Sequence, residues 1–320
     1  MLEGCPENVR RVGVVGCGRW GLKHLQALLN IQTDCEIGCI VACDTDPSVL
    51  NSIQLSGIDR HQHPETLVEI FQLDAVIVAT PDDSHYELGK QFLSQGVDVF
   101  IEKPLATTFD HASSLVSLSI EEGKMLKSGF LLRFHPCIQD ARSKIHAGRI
   151  GAIQAIRYCK KSRRFRNVGS HALDSLAIHG IDLAEFLLKG QTPLRISEVL
   201  GDQTCSKLTL EYPSQLETHI EVGWGANEDV ALLEILGASG KISIQLANHS
   251  AYEIESNGSE PCMVHSTHTP LEGVLLDFVQ GGGSSVAAST GSILRTIKCV
   301  EHARSKLLSS GRFDTRELKR

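Results

Sequence analysis

Between Arg11 and about Gly129, short apolar runs alternate with longer amphipathic stretches. The apolar runs are rich in β-branched residues and have the length of strands: RVGVVG, EIGCIVACD, AVIVAT and VDVFIE. The stretches between them, such as WGLKHLQALLNI, PETLVEIF and SHYELGKQFLSQG, have the pattern of helices. Continuous apolar strands interleaved with helices predict a parallel sheet that is covered on both faces.

The pattern changes after about Ser128. One helical segment, ALDSLAIHGIDLAEFLLKG, is followed by strand-like runs with little helix between them: LRISEVLG, SKLTLEY, QLETHIEVGWG, VALLEILG, KISIQL and AYEIE. Several of these runs alternate polar and apolar residues, which is typical of an antiparallel sheet with one covered face. Two helices, LEGVLLDFVQGG and GSILRTIKCVEHARSKLLSSG, close the chain.

These patterns predict an α/β protein with two domains. Residues 1–128 are expected to form a doubly wound parallel sheet of the Rossmann type, and residues 129–320 an α+β domain with a large, mostly antiparallel open sheet. A length of 320 residues and a hydrophobic content of 42% suit two cores of ordinary size. Since open sheets often pair face to face between subunits, we expect a homodimer or a homotetramer.

Charge and cysteine content narrow the class of partner. The net charge of -7 argues against nucleic acid or an anionic membrane as the main partner. The N-terminus lacks the apolar run of a signal peptide and no stretch reaches the roughly 18 apolar residues of a membrane span, so a cytoplasmic location is expected. The ten cysteines include no CxxC pair. We interpret them as small buried hydrophobes in a reduced compartment and predict no metal site.

A glycine-rich turn joins the first predicted strand to the first predicted helix. It has the pattern GxGxxG and consists of Gly16, Cys17, Gly18, Arg19, Trp20 and Gly21. The first glycine allows a tight turn, the second lets the backbone approach a pyrophosphate, and the third lets helix and strand pack closely. The helix N-terminus adds free N–H groups and a partial positive charge, so the turn predicts a binding site for a dinucleotide.

An acidic residue ends the second predicted strand. Asp44, in VACD, lies 28 residues beyond Gly16, close to the usual distance for the carboxylate that binds the adenosine ribose. A carboxylate there accepts both ribose hydroxyls of NAD and repels the 2′-phosphate of NADP. Thr45 and Asp46 follow, with no Arg or Lys to bind that phosphate. NAD is therefore favoured as the cofactor, and NADP remains possible.

The apolar run VDVFIE leads directly into Glu102, Lys103 and Pro104. Ligands of doubly wound sheets bind beyond the carboxyl ends of the strands, so Lys103 is expected to project towards the nicotinamide end of the cofactor. An ammonium beside a carbonyl or alkoxide stabilises the oxyanion that develops as a hydride moves. Glu102 is expected to orient Lys103 or to tune its charge. The alternative is an exposed lysine that forms a salt bridge before a helix.

Five segments occur in an order that resembles a known family. They are, in chain order, GVVGCGRWG, VIVATPDDSH, IEKPLA, GFLLRFHP and AIHGIDL. Their order resembles the Gfo/Idh/MocA family, named after glucose–fructose oxidoreductase, inositol dehydrogenase and a rhizopine-catabolism protein. The resemblance implies a nucleotide-binding domain and a sheet-based domain that bracket the substrate. It also implies that Lys103 contacts the substrate and the nicotinamide ribose, and that Thr80, Pro81 and His85 line the cofactor cleft.

The segment ALDSLAIHGIDL carries a candidate acid/base. His179 and Asp182 are three residues apart and share a helix face, and a neutral imidazole there takes or returns the hydroxyl proton. Members of the family commonly have an aspartate four residues before this histidine. Here that position is Ser175, and the nearest aspartate is Asp174, five residues before. Five residues turn an ideal helix by about 140°, so Asp174 is expected on a different face unless the helix begins after it, and Ser175 is expected to hydrogen-bond the substrate without supplying charge.

Basic residues precede this helix in KKSRRFRNVGSH. Arginines such as Arg164 and Arg166 present forked donors that suit phosphate or carboxylate, which favours an anionic substrate such as a nucleotide sugar or a sugar acid. The alternative is a solvated basic loop. Arg133 and His135, in GFLLRFHP, are expected near the junction of the domains, where they would line the cleft.

The leading hypothesis is an NAD(P)-dependent oxidoreductase whose partner is a small, sugar-like molecule. It moves a hydride between nicotinamide and a secondary alcohol or ketone of a sugar, cyclitol or nucleotide sugar, with Lys103 stabilising the oxyanion and His179 shuttling the proton. Two alternatives stay open. One is a glycoside hydrolase that uses tightly held NAD for transient oxidation, and the other is a non-catalytic NAD(H) sensor, which Ser175 in place of an aspartate keeps possible.

Overall fold

The computed structural model of the chain describes residues 9–165, 171–256 and 258–309. These residues divide into two compact units. The first unit comprises the described residues up to Leu131 together with Pro270–Leu294. The second comprises Leu132–Thr269 together with the described residues from Arg295 onwards.

The first unit is built on a six-stranded parallel sheet. Its strands are β1 (Arg10–Val15), β2 (Ile37–Cys43), β3 (Asp59–His61), β4 (Ala75–Val78), β5 (Asp98–Ile101) and β6 (Leu126–Ser128). Their order is β3-β2-β1-β4-β5-β6, and every neighbouring pair is parallel. The predicted doubly wound sheet is therefore confirmed. Because the order reverses between β1 and β4, the carboxyl ends of these strands leave the crevice in which such folds bind ligands.

The α-helices of the described residues occur in both units. They are α1 (Arg19–Ile31), α2 (Pro47–Ser52), α3 (Pro64–Phe71), α4 (His85–Ser94), α5 (Phe109–Glu121), α6 (Pro136–His146), α7 (Ile178–Leu187), α8 (Pro270–Val279) and α9 (Thr290–Ser309). Every residue of β4 is buried, and so are the last four residues of β1. This full burial explains why these strands are apolar throughout rather than alternating.

The second unit is built on an eight-stranded sheet. Its strands are β7 (Ile153–Ser162), β8 (Arg195–Gly201), β9 (Cys205–Glu211), β10 (Glu217–Trp224), β11 (Val230–Gly237), β12 (Gly240–Gln245), β13 (Ala251–Glu255) and β14 (Ser259–Met263). Their order is β14-β13-β12-β11-β7-β10-β9-β8, with β7 and β10 parallel and the other neighbours antiparallel. The predicted open, mostly antiparallel sheet is confirmed.

Strand β7 lies at the middle of this sheet, although the sequence pattern predicted no strand there. Its last residues include Lys160 and Lys161, which the sequence analysis grouped with the basic segment before a helix. Lys161 pairs with Glu221 of β10 at 2.7 Å. The alternation of β7 is broken because Ala155 and Cys159 stand on the same face as Lys161, whereas Ile156 and Tyr158 on the other face are buried.

Helix α8 belongs to the first unit, which differs from the predicted boundary that assigned residues 129–320 to one domain. Asn30 of α1 donates to Glu272 of α8 at 2.7 Å. Lys127 of β6 pairs with Asp277 at 3.3 Å, and the Phe278 ring packs against Phe100 of β5. The chain returns to the first unit because α1 and the end of the sheet need an apolar helix to cover them, and that need is invisible in local sequence.

A buried ion pair joins two segments of the second unit. The Arg133 guanidinium lies 2.6 to 3.1 Å from the carboxylate oxygens of Asp182 in α7, and both side chains are at most 5% exposed. Arg133 also lies over the Phe186 ring. Burial raises the pKa of Asp182 to about 6, although the Arg133 guanidinium lowers it. At neutral pH the pair is therefore charged on both sides, and the end of the GFLLRFHP segment is fixed to α7.

Replacing one partner of this pair is expected to destabilise the protein strongly. We expect Asp182→Asn to lower the free energy of unfolding by about 3–5 kcal/mol at pH 8, because Arg133 then stays buried without a counter-charge. Urea unfolding followed by circular dichroism measures the change. Arg195→Ala is the control: it breaks an exposed pair with Glu211 and is expected to cost less than about 1 kcal/mol. An equally small loss for Asp182→Asn would contradict this interpretation.

Candidate active site

The glycine-rich turn lies between β1 and α1, as predicted. Gly16 has a φ of +85°, and a Cβ on it would lie 2.8 Å from the Thr80 backbone nitrogen. A Cβ on Gly21 would collide with the carbonyl oxygen of Gly16. Both positions therefore require glycine for the packing of the chain itself.

Gly18 is different, because a Cβ built on it would meet nothing within 4 Å. It is the N-cap of α1, at φ -66°, where any residue is tolerated. The chain's own packing thus gives no reason for a glycine here, whereas a ligand phosphate in that open space does. The turn fits a dinucleotide pyrophosphate on this ground. Arg19 is exposed and Trp20 half-buried beside the same space.

Cys17 is the buried member of the turn. Burial and the neighbouring Asp44 carboxylate raise the pKa of its thiol to about 12. Cys43, at the end of β2, has a pKa raised to about 12 in the same way. Both thiols are protonated at neutral pH and unreactive, in keeping with our interpretation of them as small apolar residues.

Asp44 follows β2 and reaches the glycine-rich turn. One carboxylate oxygen accepts from the Cys17 backbone N–H at 2.8 Å and the other from the Asp46 N–H at 2.9 Å. Asp46 in turn caps α2 by accepting from Ser48. Each oxygen of Asp44 retains acceptor capacity, so the carboxylate is positioned beside the turn with room to bind a pair of hydroxyls.

Thr80 and Pro81 follow β4, and His85 begins α4. The His85 side chain is fully buried, with Nδ1 2.7 Å from the Pro104 carbonyl oxygen and Nε2 3.0 Å from that of Thr80. Thr80 accepts a hydrogen bond from the Ser84 hydroxyl at 2.6 Å. His85 therefore contacts protein carbonyl groups from beneath the crevice, while Thr80 and Pro81 lie at its edge.

Glu102 and Lys103 follow β5 at the same edge of the sheet as the glycine-rich turn. Glu102 is 5% exposed and accepts from His24 Nε2 at 2.8 Å and from the Lys103 backbone N–H at 3.1 Å. Lys103 itself is half-buried. His24 was missed by the sequence analysis. The available signal was its place among Leu25 and Leu28 on the buried face of α1, where an imidazole needs a polar partner.

His179 is the second residue of α7, which directly follows a wide π turn over Leu173–Ala177. In this turn the Ile178 backbone N–H donates to the Leu173 carbonyl, five residues back, instead of four. Such a turn absorbs one extra residue. The angle between Asp174 and His179 is consequently smaller than the about 140° expected for an ideal α-helix.

Asp174 and Ser175 each contact a neighbouring element. The Arg304 guanidinium of α9 lies 3.4 Å from the Asp174 carboxylate. The Ser175 hydroxyl donates to the His171 carbonyl at 2.8 Å and accepts from the Trp224 indole N–H at 3.3 Å. Close packing supports the helix, because a Cβ on Gly180 would lie 2.6 Å from the Tyr158 ring.

The remaining candidates from the sequence have different surroundings. Arg133 and Asp182 are buried in their mutual ion pair. His135 is fully buried, and burial together with the nearby His249 lowers its pKa to about 4, so it is neutral at physiological pH. Arg164 is exposed. Arg166 lies outside the described residues.

The described ranges hold neither a candidate metal cluster nor a candidate membrane-spanning helix. No three histidine, cysteine, aspartate or glutamate side chains among the described residues are grouped so as to hold a metal ion. In the same residues, no helix has both the length and the apolar character needed to cross a membrane.

Comparison with known proteins agrees with this geometry. Residues 10–130 match the model of the Gfo/Idh/MocA oxidoreductase family, described as an NAD-binding Rossmann fold. Inositol 2-dehydrogenase 2 of Saccharopolyspora erythraea is 27% identical over 246 residues, which cover 73% of this chain and 72% of that protein. The scyllo-inositol 2-dehydrogenase (NAD(+)) of Bacillus subtilis is 27% identical over 277 residues, 78% of each chain.

A solved structure shares the fold of the whole chain. KijD10, a 3-ketoreductase from Actinomadura kijaniata in complex with TDP-benzene and NADP, superimposes with a TM-score of 0.81. It is 21% identical, and the match covers 93% of this chain and 98% of that one.

The open space beside Gly18 predicts how a single methyl group acts there. We expect Gly18→Ala to fold with a free energy of unfolding within about 1 kcal/mol of wild type, because its Cβ meets no protein atom. The same methyl group occupies the pyrophosphate space, so the Kd for NADH is expected to rise at least about tenfold. Fluorescence titration with NADH and urea unfolding measure the two quantities. Unchanged NADH affinity would show that the space does not hold the cofactor.

Proposed function

Because the chain belongs to the Gfo/Idh/MocA family of NAD-binding oxidoreductases, we propose that it transfers a hydride between nicotinamide and a secondary alcohol or ketone of a cyclitol or sugar. The observation that carries the proposal lies in the first unit. The open space beside Gly18 and the Glu102–Lys103 segment lie at the same edge of one parallel sheet, where a dinucleotide in the first would present its other end to the second.

The Lys103 ammonium group can stabilise charge on the oxygen of the carbon that loses or gains the hydride. When bound, the nicotinamide accepts or supplies the hydride. As the hydride leaves an alcohol carbon, negative charge builds on its oxygen, and an ammonium group at that oxygen lowers the barrier. The buried carboxylate of Glu102 bonds the Lys103 backbone, which leaves the ammonium group at the end of a supported segment.

We assign the proton to His179. In the oxidation, its imidazole takes the hydroxyl proton, and in the reduction the imidazolium returns it. The π turn brings Asp174 towards the face of His179, and Arg304 pairs with the Asp174 carboxylate. This arrangement supports an aspartate–histidine pair in which the five-residue spacing is compensated by the wide turn. Ser175 hydrogen-bonds His171 and Trp224, and we assign it a structural role beside the aspartate–histidine pair.

A cyclitol is the favoured substrate because two relatives are inositol dehydrogenases. We expect the protein to reduce NAD+ with myo-inositol or scyllo-inositol, and Lys103→Ala to lower kcat about 10²–10³-fold, the usual effect of removing one oxyanion-stabilising group. Absorbance of NADH measures the rate. Lys90→Ala removes an exposed lysine of α4 and is the matched control, expected to retain wild-type kcat.

Other outcomes of this assay identify the two alternatives. A glycoside hydrolase would retain its NAD through gel filtration, cleave glycosides and produce no net NADH. A sensor would bind NADH, turn over no member of a broad sugar and cyclitol panel, and respond equally with and without Lys103. Either result would overturn the dehydrogenase proposal.

We further propose that NAD is preferred over NADP, since the Asp44 carboxylate stands where the 2′-phosphate would lie. NADH is expected to bind at least about tenfold more tightly than NADPH, because like charges at close range cost several kcal/mol. Asp44→Ser should narrow this ratio. Asp46→Asn, which removes a neighbouring charge and keeps the cap of α2, should leave it unchanged. Tighter binding of NADPH to the wild type in a fluorescence titration would contradict the assignment.

A further inference from the structure

The segment Glu102–Pro104 lies between two buried histidines, one from α1 and one from α4. We propose that His24 and His85 are positioning residues that fix Lys103, His24 through the Glu102 carboxylate and His85 through the Pro104 carbonyl. We call these two residues the histidine clamp. The inference rests on the proposed role of Lys103 at the reacting oxygen, and it adds residues that contact neither substrate nor cofactor.

The first half of the clamp is a chain of two hydrogen bonds. His24 is completely buried, and its Nε2–H donates to Glu102 Oε1 at 2.8 Å. The other oxygen of Glu102 accepts from the Lys103 backbone N–H at 3.1 Å. Among the described residues His24 Nδ1 has no hydrogen-bond partner, so the ring hydrogen-bonds there through Nε2 to Glu102 alone.

The Glu102 carboxylate is itself held tightly. Burial alone would raise its pKa, but the hydrogen bond from His24 and the charge of Lys103 outweigh burial and lower the pKa below its usual value. A Cβ on Gly129 would lie 2.7 Å from Glu102 Oε2, so only glycine leaves space for the carboxylate at that side. Glu102 is therefore an ionised group whose place is fixed by His24 of α1, by Gly129 directly after β6 and by the Lys103 backbone N–H.

The second half of the clamp acts on the other side of Lys103. His85 Nδ1 lies 2.7 Å from the Pro104 carbonyl oxygen, and Nε2 lies 3.0 Å from that of Thr80. A carbonyl oxygen only accepts, so the ring with its proton on Nδ1 donates the shorter bond, to Pro104. His85 thus donates to the residue after Lys103 and lies against the Thr80 carbonyl in the turn after β4, which packs against Gly16 of the glycine-rich turn.

Packing alone does not explain two imidazoles at these places. His24 is surrounded by the rings of Phe100 and Trp20, and both histidines are fully buried. A leucine would fill such a space without the cost of burying polar nitrogens. Unlike leucine, the histidines donate hydrogen bonds, and these bonds fix the position of the backbone on both sides of Lys103. A reacting group needs that support, since a displacement of about 1 Å can cost 10²-fold in rate.

The decisive experiment for His24 compares a donor with a non-donor of similar size. His24→Gln keeps an N–H near the position of Nε2, whereas His24→Leu removes it and keeps apolar packing. We expect His24→Leu to lower kcat roughly ten- to hundredfold with the Kd for NADH changed less than about threefold, and His24→Gln to restore most of kcat. A packing role would give the reverse order, with leucine better than glutamine.

His85 allows a second comparison that separates its two contacts. Asparagine places its amide N–H near Nδ1 and glutamine near Nε2. We expect His85→Asn, which keeps the bond to Pro104, to retain several-fold more kcat than His85→Gln, which places its N–H beside the Thr80 carbonyl instead. Equal losses in the two variants would mean that the Pro104 contact does not position Lys103.

Amide hydrogen exchange needs no turnover, so it tests the histidine clamp even if the proposed function is wrong. Amide hydrogen exchange of the peptide containing residues 102–106, followed by mass spectrometry on the full chain, reports the hydrogen bond from Lys103 N–H to Glu102. His24→Leu is expected to speed this exchange about tenfold or more and His24→Gln to leave it near wild type. Unchanged exchange in His24→Leu overturns the clamp whatever the substrate. A wild-type rate in Lys103→Ala, with exchange as expected, overturns the proposed function alone.

Discussion

The contact between Gly16 and Gly21 sets the geometry on which the nucleotide-binding unit depends. The carbonyl oxygen of Gly16 lies where a side chain on Gly21 would begin, so α1 can start this close to β1 only with glycine at both positions. The close start aims the free N–H groups of α1 into the crevice beyond the sheet. It also brings His24, one turn along α1, over the end of β5, where it reaches Glu102. The glycine-rich turn and Lys103 are thus positioned by the same helix and the same sheet.

The parallel register extends this scaffold to the neighbouring strands. Ala79 N–H donates to the Val15 carbonyl and Glu102 N–H to the Val78 carbonyl, so the ladder runs one residue past each strand. Asp44, Thr80 and Lys103 therefore leave the sheet at one edge, with backbones already fixed by the ladder. Their side chains need little further ordering to form a site, which is the general advantage of building sites on sheet edges.

The local sequence pattern predicted those elements whose burial can be read from their own residues. Strands β1, β2, β4 and β5 are buried on both faces and the glycine turn has a fixed spacing, so both were readable in the sequence. The place of α8 was not, because it is decided by α1, some 240 residues away. Strand β7 and helix α6 were also missed. In β7, Ala155 and Cys159 stand on the same face as Lys161 and break the alternation, and α6 has few apolar residues.

The π turn before His179 shows why residue spacing alone misjudged the position of Asp174 relative to His179. An ideal helix separates Asp174 from His179, but Leu173–Ala177 closes its hydrogen bonds over five residues and rotates them towards each other. The two carboxylates nearest His179 in sequence then each face an arginine, Asp174 with Arg304 and Asp182 with Arg133. Both carboxylates are therefore committed to ion pairs on either side of His179, an arrangement that residue spacing alone does not show.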